Sequence, residues 1–174
     1  MDTGLAVLHI LVGLLFVGHG AQKLFGVFGG YGLEGTGAFM ESLGLRPGRF
    51  HGLAAGFNEF VGGGLLALGL LVPVAAAMLI ATMVAASLTA HRDKGIWNTD
   101  GGFELPLVYS AVAFTLVAVG AGDASLDSAL GLDVNGLGWA LAALGAGIAG
   151  GLGAVASGKL NRTSGSGSGQ AQGA

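Results

Sequence analysis

The sequence predicts an all-α protein, a polytopic bundle of five transmembrane helices. Three observations carry this reading. The chain of 174 residues is 52% hydrophobic and only 10% charged, with mean hydropathy +0.74, whereas soluble domains carry about a quarter charged residues. Its apolar residues gather into five runs, each near the ~20 residues that cross a ~30 Å hydrocarbon core. Its Lys and Arg residues fall in alternate connections only, as the positive-inside bias requires.

The first span covers 3–25. The sequence before it reads MDTG, with no basic stretch, so the run is expected to be a true span rather than a cleaved signal. A glycine-rich, mixed-charge segment follows to Arg49. Within it, 36–44 is expected to form a short interfacial helix, capped by Thr36 and ended by Gly44. The second span is expected over 50–71, with Gly52 and Gly56 spaced for close helix contact. Pro73 suits a helix start, so the third span is expected over 73–91. The polar loop after it carries Trp97, placed as an interface anchor. The fourth span is expected over 103–121, with Glu104 and Pro106 in its first turn. The fifth is expected over 137–157, with Gly145, Ala149 and Gly153 on one face. Residues 1–158 thus form one bundle. The Gly/Ser-rich residues 159–174 are expected to be a disordered cytoplasmic tail.

With the N-terminus outside, Lys23, Arg46, Arg49, Arg92, Lys94, Lys159 and Arg162 all fall on the cytoplasmic side. The opposite side holds Asp2, Asp123, Asp127 and Asp133 and no Lys or Arg. The expected topology is N-out, C-in. It brings ionisable groups of four spans to one half of the membrane. In GHGAQKLFGVFGG, residues 18–30, His19, Gln22 and Lys23 share a helix face. Glu59, beside Asn58, sits roughly 13 Å from the inner end of its span at 1.5 Å per residue. His91 and Glu104 stand at span ends. Ionisable groups inside spans are costly and pair with one another. The pairs expected are Glu59 with Lys23 or His19, and Glu104 with His91 or Arg92. His19, Gln22, Lys23, Asn58, Glu59, His91 and Glu104 are therefore the candidate ligand-binding or proton-handling residues of one inner pocket. Each has a plainer reading: Lys23 snorkels to the interface, Glu104 serves the helix end, and the whole set is a structural polar network.

Other chemistries find little footing. No basic footprint for nucleic acid exists. The absence of cysteine excludes thiolate metal sites and a dithiol relay within this chain. There is no phosphate-binding loop and no HExxH, and no metal site is expected. His9, His19, His51 and His91 could in principle supply paired haem ligands, but His9 lies in the outer half and His19 and His91 in the inner.

Taken together, GHGAQKLFG at 18–26, FGGYG at 28–32, GTGAFMESLGL at 35–45, NEFVGGGLLALGLLVP at 58–73, His91, GIW at 95–97, GGFELPL at 101–107 and SLD at 125–127 resemble the DoxX family of small prokaryotic membrane proteins. The resemblance covers about 5–130. It implies a four-helix membrane core, to which the fifth span is an addition, and residence in a prokaryotic cell membrane. The family takes its name from a subunit of a quinone-linked, thiosulfate-oxidising system. The resemblance therefore implies a link to membrane redox chemistry but not a reaction; a quinone as ligand and a soluble or membrane redox protein as partner are the hypotheses it raises.

Three functions compete. The first is a quinone-linked or redox-associated subunit, in which His19 or Lys23 bonds the quinone carbonyl and Glu59 handles protons. The second is a non-enzymatic scaffold that docks a soluble partner. The third is a small-solute or proton-coupled transporter, against which the lack of inverted repeats counts. The Gly-rich faces also fit a homo-oligomer.

Overall fold

The computed structural model describes residues 2–166, and all regular structure among them is helical. The seven α-helices are α1 (Asp2–Phe25), α2 (Gly32–Ser42), α3 (Gly48–Leu68), α4 (Val72–Leu88), α5 (Glu104–Val119), α6 (Leu126–Ala129) and α7 (Leu137–Ser166), with a 3-10 turn at Asn98–Asp100. Two are long and apolar enough to cross a membrane, over Thr3–Phe25 and Leu137–Lys159. Helices α4 and α5 are apolar but shorter. Helix α3 has 21 residues, but Arg49, His51, Asn58 and Glu59 dilute its apolar character.

Several boundaries differ from the expected ones. Helix α2 starts at Gly32, so Thr36 is a buried interior residue and not its cap. The Thr36 hydroxyl instead donates to the Lys23 carbonyl at 3.3 Å. Helix α4 stops at Leu88, and the chain turns back with the His91 amide on the Ala86 carbonyl at 3.1 Å. Helix α7 continues to Ser166, because extending a formed helix fixes one residue per added bond. The first part of the expected tail is thus helical, and 167–174 lie outside the described residues.

Helices α1 and α3 run antiparallel at very short range. A Cβ on Gly13 would lie 2.5 Å from the Ala67 nitrogen, and one on Gly20 would lie 2.4 Å from that of Phe60. Only glycine permits such backbone approach. Helix α4 packs between α3 and α7. The α7 face that meets it is Gly147 and Gly151, where added Cβ atoms would lie 2.6 Å from Ile80 and 2.7 Å from Ala81. The expected face is corrected: Gly145 and Gly153 have no atom within 4 Å and point outward. Phe16 of α1 meets Tyr109 of α5 edge to face at 5.1 Å. Between these helices Phe16, Leu66, Leu79, Ile80, Leu116 and Val117 form the core. On the outside, α1 exposes Val7, Ile10, Leu11, Leu14 and Leu15 and α7 exposes Leu141, Ile148 and Leu152. So large an exposed apolar surface is what a bundle solvated by lipid presents.

One end of the bundle holds the α3–α4 turn and the 120–136 segment. The other holds α2, the 89–103 loop and the stretch of α7 where the Gly158 carbonyl accepts from the Arg46 amide at 3.3 Å.

Candidate functional site

Lys23 stands in the last turn of α1 and Glu59 in α3 on the face that packs against it. The Gly56 position, one turn from Glu59, approaches the side chains of Leu24 and Lys23. The Lys23 ammonium donates to Glu59 Oε2. The side chain of Lys23 is 27% exposed and that of Glu59 only 4%. A buried carboxylate thus meets a cation that still reaches the surface. This ion pair is one of the two expected for Glu59.

His19 does not join it directly. It is exposed, and its Nδ1–H donates to Gln22 Oε1 at 3.2 Å. Gln22 Nε2 in turn donates to the Phe28 carbonyl at 3.1 Å, holding the loop after α1. The side chains of Phe25 and Phe60 meet edge to face at 5.6 Å across the same helix pair. The result is a polar strip, His19–Gln22–Lys23, that opens outward from the last two turns of α1, with Glu59 behind it and aromatic rings beside it.

The rest of the expected pocket is elsewhere. Asn58 is half-buried, one turn along α3 from Gly62, which packs on α4. His91 Nδ1–H donates to the Gly101 carbonyl, and Glu104 Oε2 accepts from the Asn98 amide at 2.9 Å. The expected pairing of Glu104 with His91 or Arg92 is therefore corrected. Both side chains fold the 89–103 loop onto itself, because neighbouring backbone groups offer partners at no cost in long-range ordering.

Three further buried polar residues lie outside the expected pocket: Asp127 was no candidate, and His9 and His51 entered only as conceivable haem ligands. Asp127, 5% exposed, accepts from the Leu71 amide at 2.8 Å and the Val72 amide at 3.2 Å. It caps α4 from 55 residues away, where a carboxylate satisfies orphan N–H groups at a positive helix end. The one signal for it was its place in the SLD segment. His9 donates from Nδ1 to the Leu66 carbonyl at 2.9 Å, and its buried Nε2 has no partner among the described residues. His51 is buried with its ring edge to face with Phe50 at 5.5 Å. No cluster of three metal-ligating side chains occurs among the described residues.

Fold and site together define a membrane protein: a helical bundle with an apolar exterior and a buried Lys–Glu pair joining two of its helices. A family model described as DoxX matches residues 4–92, about half of the chain, including α1 to α4 and the ion pair. The chain belongs to the DoxX family. The match ends before GGFELPL, SLD and α7. Comparison with curated proteins and with solved structures gives no match.

Proposed function

We propose that this protein is a quinone-linked, redox-associated membrane subunit whose ligand site is the strip His19, Gln22, Lys23 and Glu59. The observation that carries this reading is the combination of an exposed imidazole with a buried ion pair on one face of α1. A purely structural pair needs no exposed histidine one turn away on a helix otherwise coated in Leu and Val. A quinone head group asks for hydrogen-bond donors at its carbonyl oxygens and a group that exchanges protons. Lys23 has N–H donors beyond the one it gives Glu59, His19 donates when its Nδ1–H exchanges Gln22 for the quinone carbonyl, and Glu59 is the proton-handling carboxylate. The Phe25 and Phe60 rings offer flat apolar contact for the ring. The chain has no cysteine to serve as a dithiol donor, and in this reading a redox partner supplies the electrons.

Five spans with the N-terminus outside fit this site. Lys23, Arg46, Arg49, Arg92 and Lys94 lie at the end of the bundle that carries α2 and the 89–103 loop, and Asp123, Asp127 and Asp133 lie in the 120–136 segment at the other end. A soluble partner in the cytoplasm would then face the end that carries the strip.

The test is ligand protection of the purified protein. A quinone analogue should raise the thermal unfolding temperature of the wild type, and Glu59→Gln and His19→Ala should each abolish the shift. No protection at saturating analogue would sink the reading. The scaffold reading has one observation in its favour: Glu59 is already paired. It expects Glu59→Gln to lower stability with no change in any ligand response. The carrier reading has less, because the α1–α3 seam beyond Glu59 is closed backbone on backbone at Gly20 and Gly13.

A further inference from the structure

Between Lys23 and Glu34 the chain carries no charge. Yet Phe28 at 77% and Tyr31 at 86% exposure are the most exposed large apolar side chains among the described residues, with Phe25 and Val27 also exposed beside them. The loop is built, not loose. The Gly30 amide donates to the Val27 carbonyl at 3.0 Å, and Gln22 Nε2 donates to the Phe28 carbonyl at 3.1 Å. Gly30 lies so close to α1 that an added Cβ would be 2.3 Å from the Gln22 carbonyl oxygen. Phe28 is held at φ 52, a left-handed conformation unfavourable to any residue with a side chain. The Gly30 amide and the Val27 and Phe28 carbonyls find partners within the loop or on α1, while the Phe28 and Tyr31 rings are turned outward.

These rings continue a stripe already present on α1. Leu11, Leu14, Gly18 and Phe25 recur on one helical face. Leu11 and Leu14 are each 57% exposed, and Gly18 has no atom within 4 Å. In a helix that crosses a membrane, a face turned away from its neighbours meets lipid, and the loop begins where that face ends. Phe and Tyr side chains are stable at the boundary between headgroups and acyl chains.

We propose that the Phe25–Tyr31 loop is embedded in lipid at that boundary, an aromatic wedge latched to α1 by Gln22. Through the latch, its position is tied to His19, whose Nδ1–H bonds the same Gln22.

The test uses the full chain in phosphatidylcholine vesicles, in a Trp97→Phe, Trp139→Phe background that removes both native tryptophans. Phe28→Trp and Tyr31→Trp are made separately, so that strain at position 28 cannot decide the outcome alone. Phosphatidylcholine brominated near the headgroup should quench either reporter at least about twofold, as expected for a ring at the acyl boundary, while aqueous acrylamide quenches weakly. Strong acrylamide quenching without bromine quenching places the loop in water and overturns the proposal. Protection from both quenchers means protein covers it and overturns it equally. Adding Gln22→Leu should move quenching toward acrylamide, and an unchanged pattern would remove Gln22 as the latch.

Discussion

Lys23 is the half-exposed partner and Glu59 the buried one, so the two ends of the pair respond differently to substitution. Lys23→Met leaves a buried carboxylate uncompensated and should cost about 3 kcal/mol, since breaking a buried pair from one side strands the other charge. Lys23→Met with Glu59→Leu should recover most of that loss. Thermal unfolding of the four proteins of this double-mutant cycle measures the coupling, and additive losses would deny the pair its role. Asp127 makes a second sharp prediction. Its two amide contacts to Leu71 and Val72 imply that Asp127→Ala costs about 2 kcal/mol. Asp127→Asn should fall between that and wild type, keeping one acceptor while losing the charge at the helix end. Glu59 and Lys23 were legible in the sequence as a pair because a mid-span carboxylate has so few ways to be satisfied. Asp127 was not: nothing local to residue 127 announces an amide 55 residues upstream.

At the scale of elements, glycine decides which helices touch. Gly20 lies against the α3 backbone at Phe60 and Gly56, whereas Gly145 of α7 has no neighbour within 4 Å. Gly20→Val should force α1 from α3 and abolish or sharply lower thermal stability, since overpacking costs of about 1–3 kcal/mol apply to side chains that can yield and a backbone yields less. Gly145→Val should leave the unfolding temperature nearly unchanged. A large loss with Gly145→Val would mean that α7 is turned by about half a rotation from the arrangement described, and tolerance of Gly20→Val would deny the close α1–α3 contact. The sequence pointed to the Gly145, Ala149 and Gly153 face of α7, but that helix has small residues on several faces and the structure uses another. Gly147 and Gly151 won because they admit Ile80 and Ala81 of α4. The loop between α4 and α5 shows the same lesson. His91 and Glu104 belong to four-span convergence in one dimension, but the 89–103 loop has its own amides and carbonyls to satisfy and takes both.

For the whole molecule, the sidedness of charge makes a prediction that the composition renders easy to test. With no native cysteine, single substitutions report without background. Lys94→Cys and Asp123→Cys should react with an impermeant maleimide from opposite faces of sealed vesicles, as expected for loops at opposite ends of the bundle. Labelling of both from one face would overturn the five-span, N-out arrangement.

By itself the sequence determined the solvent of this protein and its class. A chain with so few charges and such long apolar runs folds only where lipid replaces water, and the polar residues inside those runs stand out because each is expensive there. Its short motifs carried the family. Tertiary structure alone decided which polar groups meet. The one expected pocket became a Lys23–Glu59 pair with an outward strip and a self-closed loop around His91 and Glu104, while Asp127, never counted in that pocket, clamps the start of α4. The reason is geometric: depth in the membrane follows from counting residues at a fixed rise, but the direction a side chain faces depends on which helix lies beside it. Backbone contact at Gly13, Gly20, Gly147 and Gly151 fixes those neighbours.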